Sequence, residues 1–199
     1  MIKRSHAFFR GARLLAVALI ALLLTVSAAA QMPEPYRRVA RLIWVVPDAE
    51  GTAEAWRRIG IPVDEPAAAE FRPAGGAPHG GLAASGYFAN LRADWVQPAP
   101  GADPLARFLR ERGAGVYALA YEMPDRDTWR REIERFRGAG VAVIEQGELT
   151  LGGETTAYAF LDTAREGKFV LALMTRGRNS GGPAGSMHVS QLAFVVRAP

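Results

Sequence analysis

Hydrophobic and polar positions along the chain fall into a repeated pattern. Residues 41–48 read RLIWVVPD, and AEGTAEAWRRIG follows; residues 118–125 read ALAYEMPD, and RDTWRREIERFRGAG follows. Each opens with a short apolar run rich in aromatic or β-branched residues, the mark of a buried strand. Pro-Asp closes each run, and the aspartate is a good N-cap for the amphipathic helix that follows. Gly60, and Gly138 or Gly140, stand where those helices need a C-cap. Shorter strand patterns come next. GLAASGYFAN and LRADWVQP read as a hairpin in the first copy; VAVIE, TTAYAFLD and GKFVLALM read as three strands in the second. The order β-α-β-β-β is thus expected twice, with starts 77 residues apart. Between the copies, Asp103 and Pro104 open a short helix with an apolar stripe of Leu105, Phe108 and Leu109, ended by Gly113.

The two ends of the chain break the pattern. Residues 1–13 are basic and residues 14–26, LLAVALIALLLTV, are uninterruptedly apolar, followed by SAAAQ with Ala28 and Ala30 at small positions. This is the secretory layout, so residues 1–30 are expected to be a signal peptide cleaved after Ala30, against the alternative of a retained anchor. Residues 31–175 hold the repeated domain, with modules at 40–98 and 114–175. Residues 176–186, RGRNSGGPAGS, read as a linker. Residues 187–199 carry QLAFVVRA, which lines up with RLIWVVPD and reads as an extra strand, either swapped or opening a truncated second domain.

Composition narrows the chemistry. Four of the 24 Lys and Arg lie in the first 30 residues, leaving 20 basic against 20 acidic residues in the remainder. A neutral mature chain argues against nucleic acid as a partner. The absence of cysteine removes disulfides, thiolate zinc sites, iron–sulfur clusters and cysteine nucleophiles. Only His79 and His188 remain beyond the leader, so neither a histidine-rich metal site nor a Ser-His-Asp set can be assembled. GGAPHGG lacks the Lys-Ser/Thr ending of a phosphate loop, and no dinucleotide fingerprint follows a strand.

RLIWVVPD and ALAYEMPD, each opening a β-α-β-β-β unit, resemble the vicinal-oxygen-chelate superfamily, which includes glyoxalase I, extradiol dioxygenases and bleomycin-resistance proteins. The similarity is closest to the methylmalonyl-CoA epimerase-like branch. It is carried by residues 94–125, by AGVAVIEQG (139–147) and by AYAFLDTAREGKFVLALM (157–174), and it covers roughly 41–174. The resemblance implies an α+β, glyoxalase-like fold, with two βαβββ modules forming one curved, mostly antiparallel eight-stranded sheet. It also implies a divalent metal held by His, Glu or Gln side chains, one per strand. Those positions fall here on Arg41, Asp94, Ala118 and Ala172. A permanently charged guanidinium cannot coordinate a metal, and alanine offers no donor atom. No cofactor is therefore expected.

By the family's geometry Arg41 and Asp94 face the same concave sheet, so the Arg41 guanidinium is expected to stand for the metal charge and pair with Asp94. Two readings stay open: a structural ion pair, or recognition of an anionic ligand. Glu122 is either a second carboxylate in that cavity or an exposed strand end. His79 sits on a glycine-rich, mobile loop at the cleft mouth, as a ligand-binding candidate or as a plain surface histidine. Arg130, Arg131, Arg135 and Arg137 among Glu132 and Glu134 read as a solvated helix face. The expected protein is exported to a periplasm or the exterior and has no stable membrane anchor after cleavage. It binds a small anionic molecule or a partner without a metal, and is compatible with a homodimer. The alternative is a metal-dependent lyase, isomerase or dioxygenase whose ligands come from Asp94, Glu122 and His79, a second chain or a missing domain.

Overall fold

The computed structural model describes residues 32–88, 90–167 and 169–177. The expected signal peptide, most of the expected linker, from 178 onward, and the expected extra strand lie outside the described residues. The chain divides into two compact units, residues 1–37 and 38–199. The described part of the first holds one 3-10 turn, Glu34–Tyr36.

The second unit follows the repeated pattern. Module one is β1 (Arg41–Val45), α1 (Ala49–Arg58), β2 (Ala67–Pro73), β3 (His79–Phe88) and β4 (Leu91–Pro98). A linking helix α2 (Pro104–Arg112) leads to module two: β5 (Gly115–Met123), α3 (Arg126–Gly138), β6 (Val143–Leu151), β7 (Glu154–Leu161), the single turn α4 (Ala164–Gly167) and β8 (Val170–Thr175). The predicted caps form. Asp48, Asp103 and Asp125 accept backbone N–H groups of Gly51, of Leu105 and Ala106, and of Thr128. Gly60 and Gly140 follow the module helices with φ of 86° and 82°, a region that costs glycine least. The alanine-rich β2 carries no strong strand signal of its own; it is held by antiparallel pairing to β3 on one side and β6 on the other.

That second pairing closes the sheet. The strand order β1-β4-β3-β2-β6-β7-β8-β5 returns on itself as a barrel. Only β1·β4 and β5·β8 are parallel; the six other pairs are antiparallel. The concave sheet expected from the sequence is thus a closed one with a packed interior. Phe71, Tyr117, Tyr158 and Phe160 meet there at mostly edge-on or tilted angles, with Ile43, Val45, Leu149 and Met174 around them. Full burial of an apolar side chain of this size contributes roughly 1.5–3 kcal/mol. A second cluster lies on the other face of β1 and β4, where Leu42, Leu91, Ala93 and Trp95 meet Ala49 and Trp56 of α1. On α3, Trp129 and Ile133 are buried, and Trp129 donates its indole N–H to the Leu173 carbonyl at 3.0 Å. Among the described residues no helix is long and apolar enough to cross a membrane.

Candidate functional site

Strand alternation sends polar side chains into the barrel near both of its ends. Arg41 lies beside Arg92 in the parallel β1·β4 pair, and Asp94 is two residues further on the same face of β4. The expected pair forms: Arg41 Nη1 is 3.3 Å from Asp94 Oδ2, with the two side chains 3% and 2% exposed. Arg92, which the sequence reading did not single out, is the stronger partner. Its Nε donates to Asp94 Oδ1 at 2.7 Å, its Nη2 donates to Ser85 Oγ at 2.9 Å, and Ser85 donates to the same carboxylate oxygen at 2.6 Å. Glu154 stands 3.5 Å from Arg92 Nη1. Period-2 alternation back from Asp94 was the available signal for Arg92.

Glu122 resolves toward burial: its side chain is 7% exposed and lies 4.0 Å from Arg176. Burial pushes its carboxyl above the usual range, against the charges of Arg41, Arg176, Arg38 and Arg92. Ala118 and Ala172 are fully buried in the apolar core. The four positions where the resemblance places metal ligands therefore do not form a donor set. Two carry no donor and one is a cation, while the carboxylate is already engaged by two guanidinium groups and a hydroxyl. Among the described residues no three His, Asp or Glu side chains are grouped to hold a metal ion.

The opposite end of the barrel is organised around His79, and here the sequence reading needs correction. His79 is neither on a mobile loop nor exposed. It is the first residue of β3, its side chain is 14% exposed, and its ring stacks on Phe71 at 5.1 Å and 7°. The following glycines, Gly80 and Gly81, are strand residues placed against neighbouring backbone: a Cβ on them would run into the carbonyl oxygens of Ala69 and Gln97. Nε2 of His79 is 3.0 Å from both oxygens of Glu145 on β6, and Tyr158 donates its hydroxyl to Glu145 Oε1 at 2.6 Å. Nδ1 is buried without a hydrogen bond, 3.8 Å from Asp103 Oδ1. Burial opposes protonation of His79, but the hydrogen bond and charge of Glu145, with the charge of Asp103, outweigh it and raise its pKa above the usual histidine value. Burial likewise drives the Tyr158 and Tyr117 hydroxyls toward the neutral form.

Above this cluster opens a cleft of ≈ 1000 Å³ between the β2–β3 turn, the β4–α2 loop and the start of β6. His79, Asp103, Arg107, Arg137, Glu145 and Gln146 give it its charge and polarity. Arg137 is held by Glu134 and by Gln146. Arg107 is exposed, and its guanidinium makes no hydrogen bond or ion pair among the described residues. Of the sequence candidates, Arg41, Asp94 and Glu122 gather at one end and His79 stands alone at the other. His79 lies six residues before Ser85, the partner of Asp94 across β3·β4, a distance of about 20 Å along the strand. Glu145 was missed because its partner His79 is remote in sequence, and Arg107 because no local pattern marks an arginine of α2 as a cleft residue. The other α3 arginines behave as predicted, with Arg130–Asp127 and Arg135–Glu132 pairs on an exposed face.

No family model matches the sequence, and no curated protein matches it. Solved structures do. Methylmalonyl-CoA epimerase from Streptomyces coelicolor, in complex with 2-nitronate-propionyl-CoA, gives a TM-score of 0.52 at 18% identity, covering 73% of this chain and 98% of that chain. The methylmalonyl-CoA epimerase from Mycobacterium tuberculosis gives 0.51 at 16%, covering 74% and 94%. A hypothetical protein from Bacillus halodurans gives 0.51 at 15%, covering 70% and 94%. At such identities the likeness is one of fold. The fold is the two-module, glyoxalase-like fold, similar in form to that of the methylmalonyl-CoA epimerases.

Proposed function

We propose that this chain is an exported, metal-free protein of glyoxalase-like fold that binds a small anionic ligand, and that the ligand site is the cleft at the His79 end. The observation that carries the metal-free reading is the Arg41–Asp94–Arg92 cluster, which puts two fixed positive charges against the single carboxylate where the fold's metal would sit. Buried ions of this kind persist when paired and hydrogen-bonded; Asp94 Oδ1 meets both conditions through Arg92 and Ser85, while Asp94 Oδ2 is held to Arg41 by charge alone. The anionic reading is supported by Arg107, an unengaged guanidinium on the cleft wall, with Arg137 and a protonation-prone His79 nearby. Export is supported by the leader pattern of residues 1–30. The enzymatic alternative then needs donors from a second chain or a further domain, because His79 lies about 20 Å along β3 from Ser85, the neighbour of Asp94, too far for the two to share one ion.

Calorimetric titration of the purified protein with inorganic phosphate and with acetate, before and after treatment with a chelator, tests the reading. Saturable binding that the chelator leaves unchanged, and that Arg107→Ala weakens about tenfold, is expected for a charge-assisted contact. Binding that appears only when a divalent ion is added would overturn it. N-terminal sequencing of the exported product should begin at Gln31; a product that keeps residues 1–30 would contradict export by cleavage.

A further inference from the structure

The cleft does not end at Arg107. A smaller recess of ≈ 160 Å³ adjoins it and shares Pro104, Arg107 and Ile144 with its lining. Beyond those residues it is bounded by the apolar side chains of Phe108, Val116, Phe169 and Val170, with Glu111 and Arg112 also on its lining. Phe108 is fixed there by an edge-on contact with Tyr117 at 5.5 Å. A cavity of about 150 Å³ has room for a benzene ring, and in this open recess one face of such a ring would lie against the apolar wall. One unengaged guanidinium thus stands where the cleft meets this pit, a recess with an apolar wall and a charged rim.

The charge balance around Arg107 selects the anion. Asp103 and Glu145 line the same cleft and oppose Arg107, Arg137 and His79, so with the imidazole protonated the lining carries one positive charge in excess, enough for a single negative charge. A singly charged carboxylate matches the fork of one guanidinium and leaves the rest of the molecule free to be apolar.

We propose that cleft and pit form one site for an amphipathic monocarboxylate, its carboxylate on Arg107 and an aromatic or aliphatic body of roughly six to eight carbon atoms in the pit. This rests on the anion-binding reading above and narrows it to a ligand class. Each methylene that the pit takes out of water should strengthen binding roughly fourfold.

The test is calorimetric titration with acetate, hexanoate, 3-phenylpropionate, 3-phenylpropionamide and inorganic phosphate. 3-Phenylpropionate is expected to bind at least about thirtyfold more tightly than acetate, and its amide at least about tenfold more weakly than the acid. Arg107→Ala should lower affinity for the acid about tenfold and leave that for the amide unchanged. Ala164→Trp, which fills the pit from α4, should erase the advantage of 3-phenylpropionate over acetate and leave acetate binding in place. Ala164→Leu fills the same recess more gently and is read in the same way if the tryptophan variant does not fold. Equal affinity for acid and amide, or a preference for the aromatic acid that survives Ala164→Trp, would overturn the proposal. If acetate and phosphate bind and an apolar body adds nothing, this inference falls and the anion-binding reading stands. If no anion binds, both fall.

Discussion

The two ends of the barrel solve the same problem in opposite ways. At the Arg41 end, two guanidinium groups, one carboxylate and one hydroxyl offset one another inside the molecule, although Arg41 Nε and Asp94 Oδ2 make no hydrogen bond, and the side chains of Arg41, Arg92 and Asp94 are 2–9% exposed. At the His79 end the polar groups are only partly matched. Glu145 is shared by His79 and Tyr158, the second ring nitrogen of His79 has no hydrogen bond, and the cluster opens onto a cleft. Both ends leave buried polar atoms without hydrogen bonds; they differ in that the Arg41 cluster is buried and the His79 cluster lines a cleft. The accessible end is accordingly the one proposed as the recognition surface.

The largest expected effect comes from breaking the closed end. Asp94→Ala strands two buried guanidinium groups and should destabilise the protein by about 3–5 kcal/mol in denaturant unfolding. Replacing Arg41, Arg92 and Asp94 together by apolar residues of similar volume should cost less than that single change, because no charge is left unpaired. His79→Ala, at the open end, should cost roughly 1–3 kcal/mol through the lost hydrogen bond to Glu145.

The His79 contribution depends on pH with a defined sign. Its folded pKa is raised above the unfolded value of about 6.5, so the stabilisation is fully present below that pH and is lost as the pH rises through the folded value. The stability gap between wild type and His79→Gln, measured between pH 5 and pH 9, should therefore shrink as pH increases. A gap that widens instead would place the imidazole in its neutral form. The smallest effect should come from Arg135→Ala on the exposed face of α3, within about 0.5 kcal/mol, since surface ion pairs are screened by water.

The legible and illegible parts of this molecule divide along physical lines. Local chemistry was readable: Pro-Asp after an apolar run gave both module openings, and the aspartate caps formed where expected. The Arg41–Asp94 pair was readable only through the resemblance, which put two residues 53 positions apart on one face. Strand β2 was obscured because AAAEFRP lacks β-branched residues and owes its state to two neighbouring strands. His79 was misplaced because the glycines around it read as a flexible loop, whereas Gly80 and Gly81 are needed where strands approach closely. Glu145 reaches His79 across 66 residues, and no local pattern encodes that distance.

Elemental analysis of the purified protein, by mass spectrometry of wild type and Asp94→Asn side by side, tests the central claim most directly. If guanidinium charge has replaced the ion, neither protein carries a stoichiometric divalent metal. One equivalent of zinc, manganese, cobalt, nickel or iron per chain in the wild type, lost in Asp94→Asn, would contradict it.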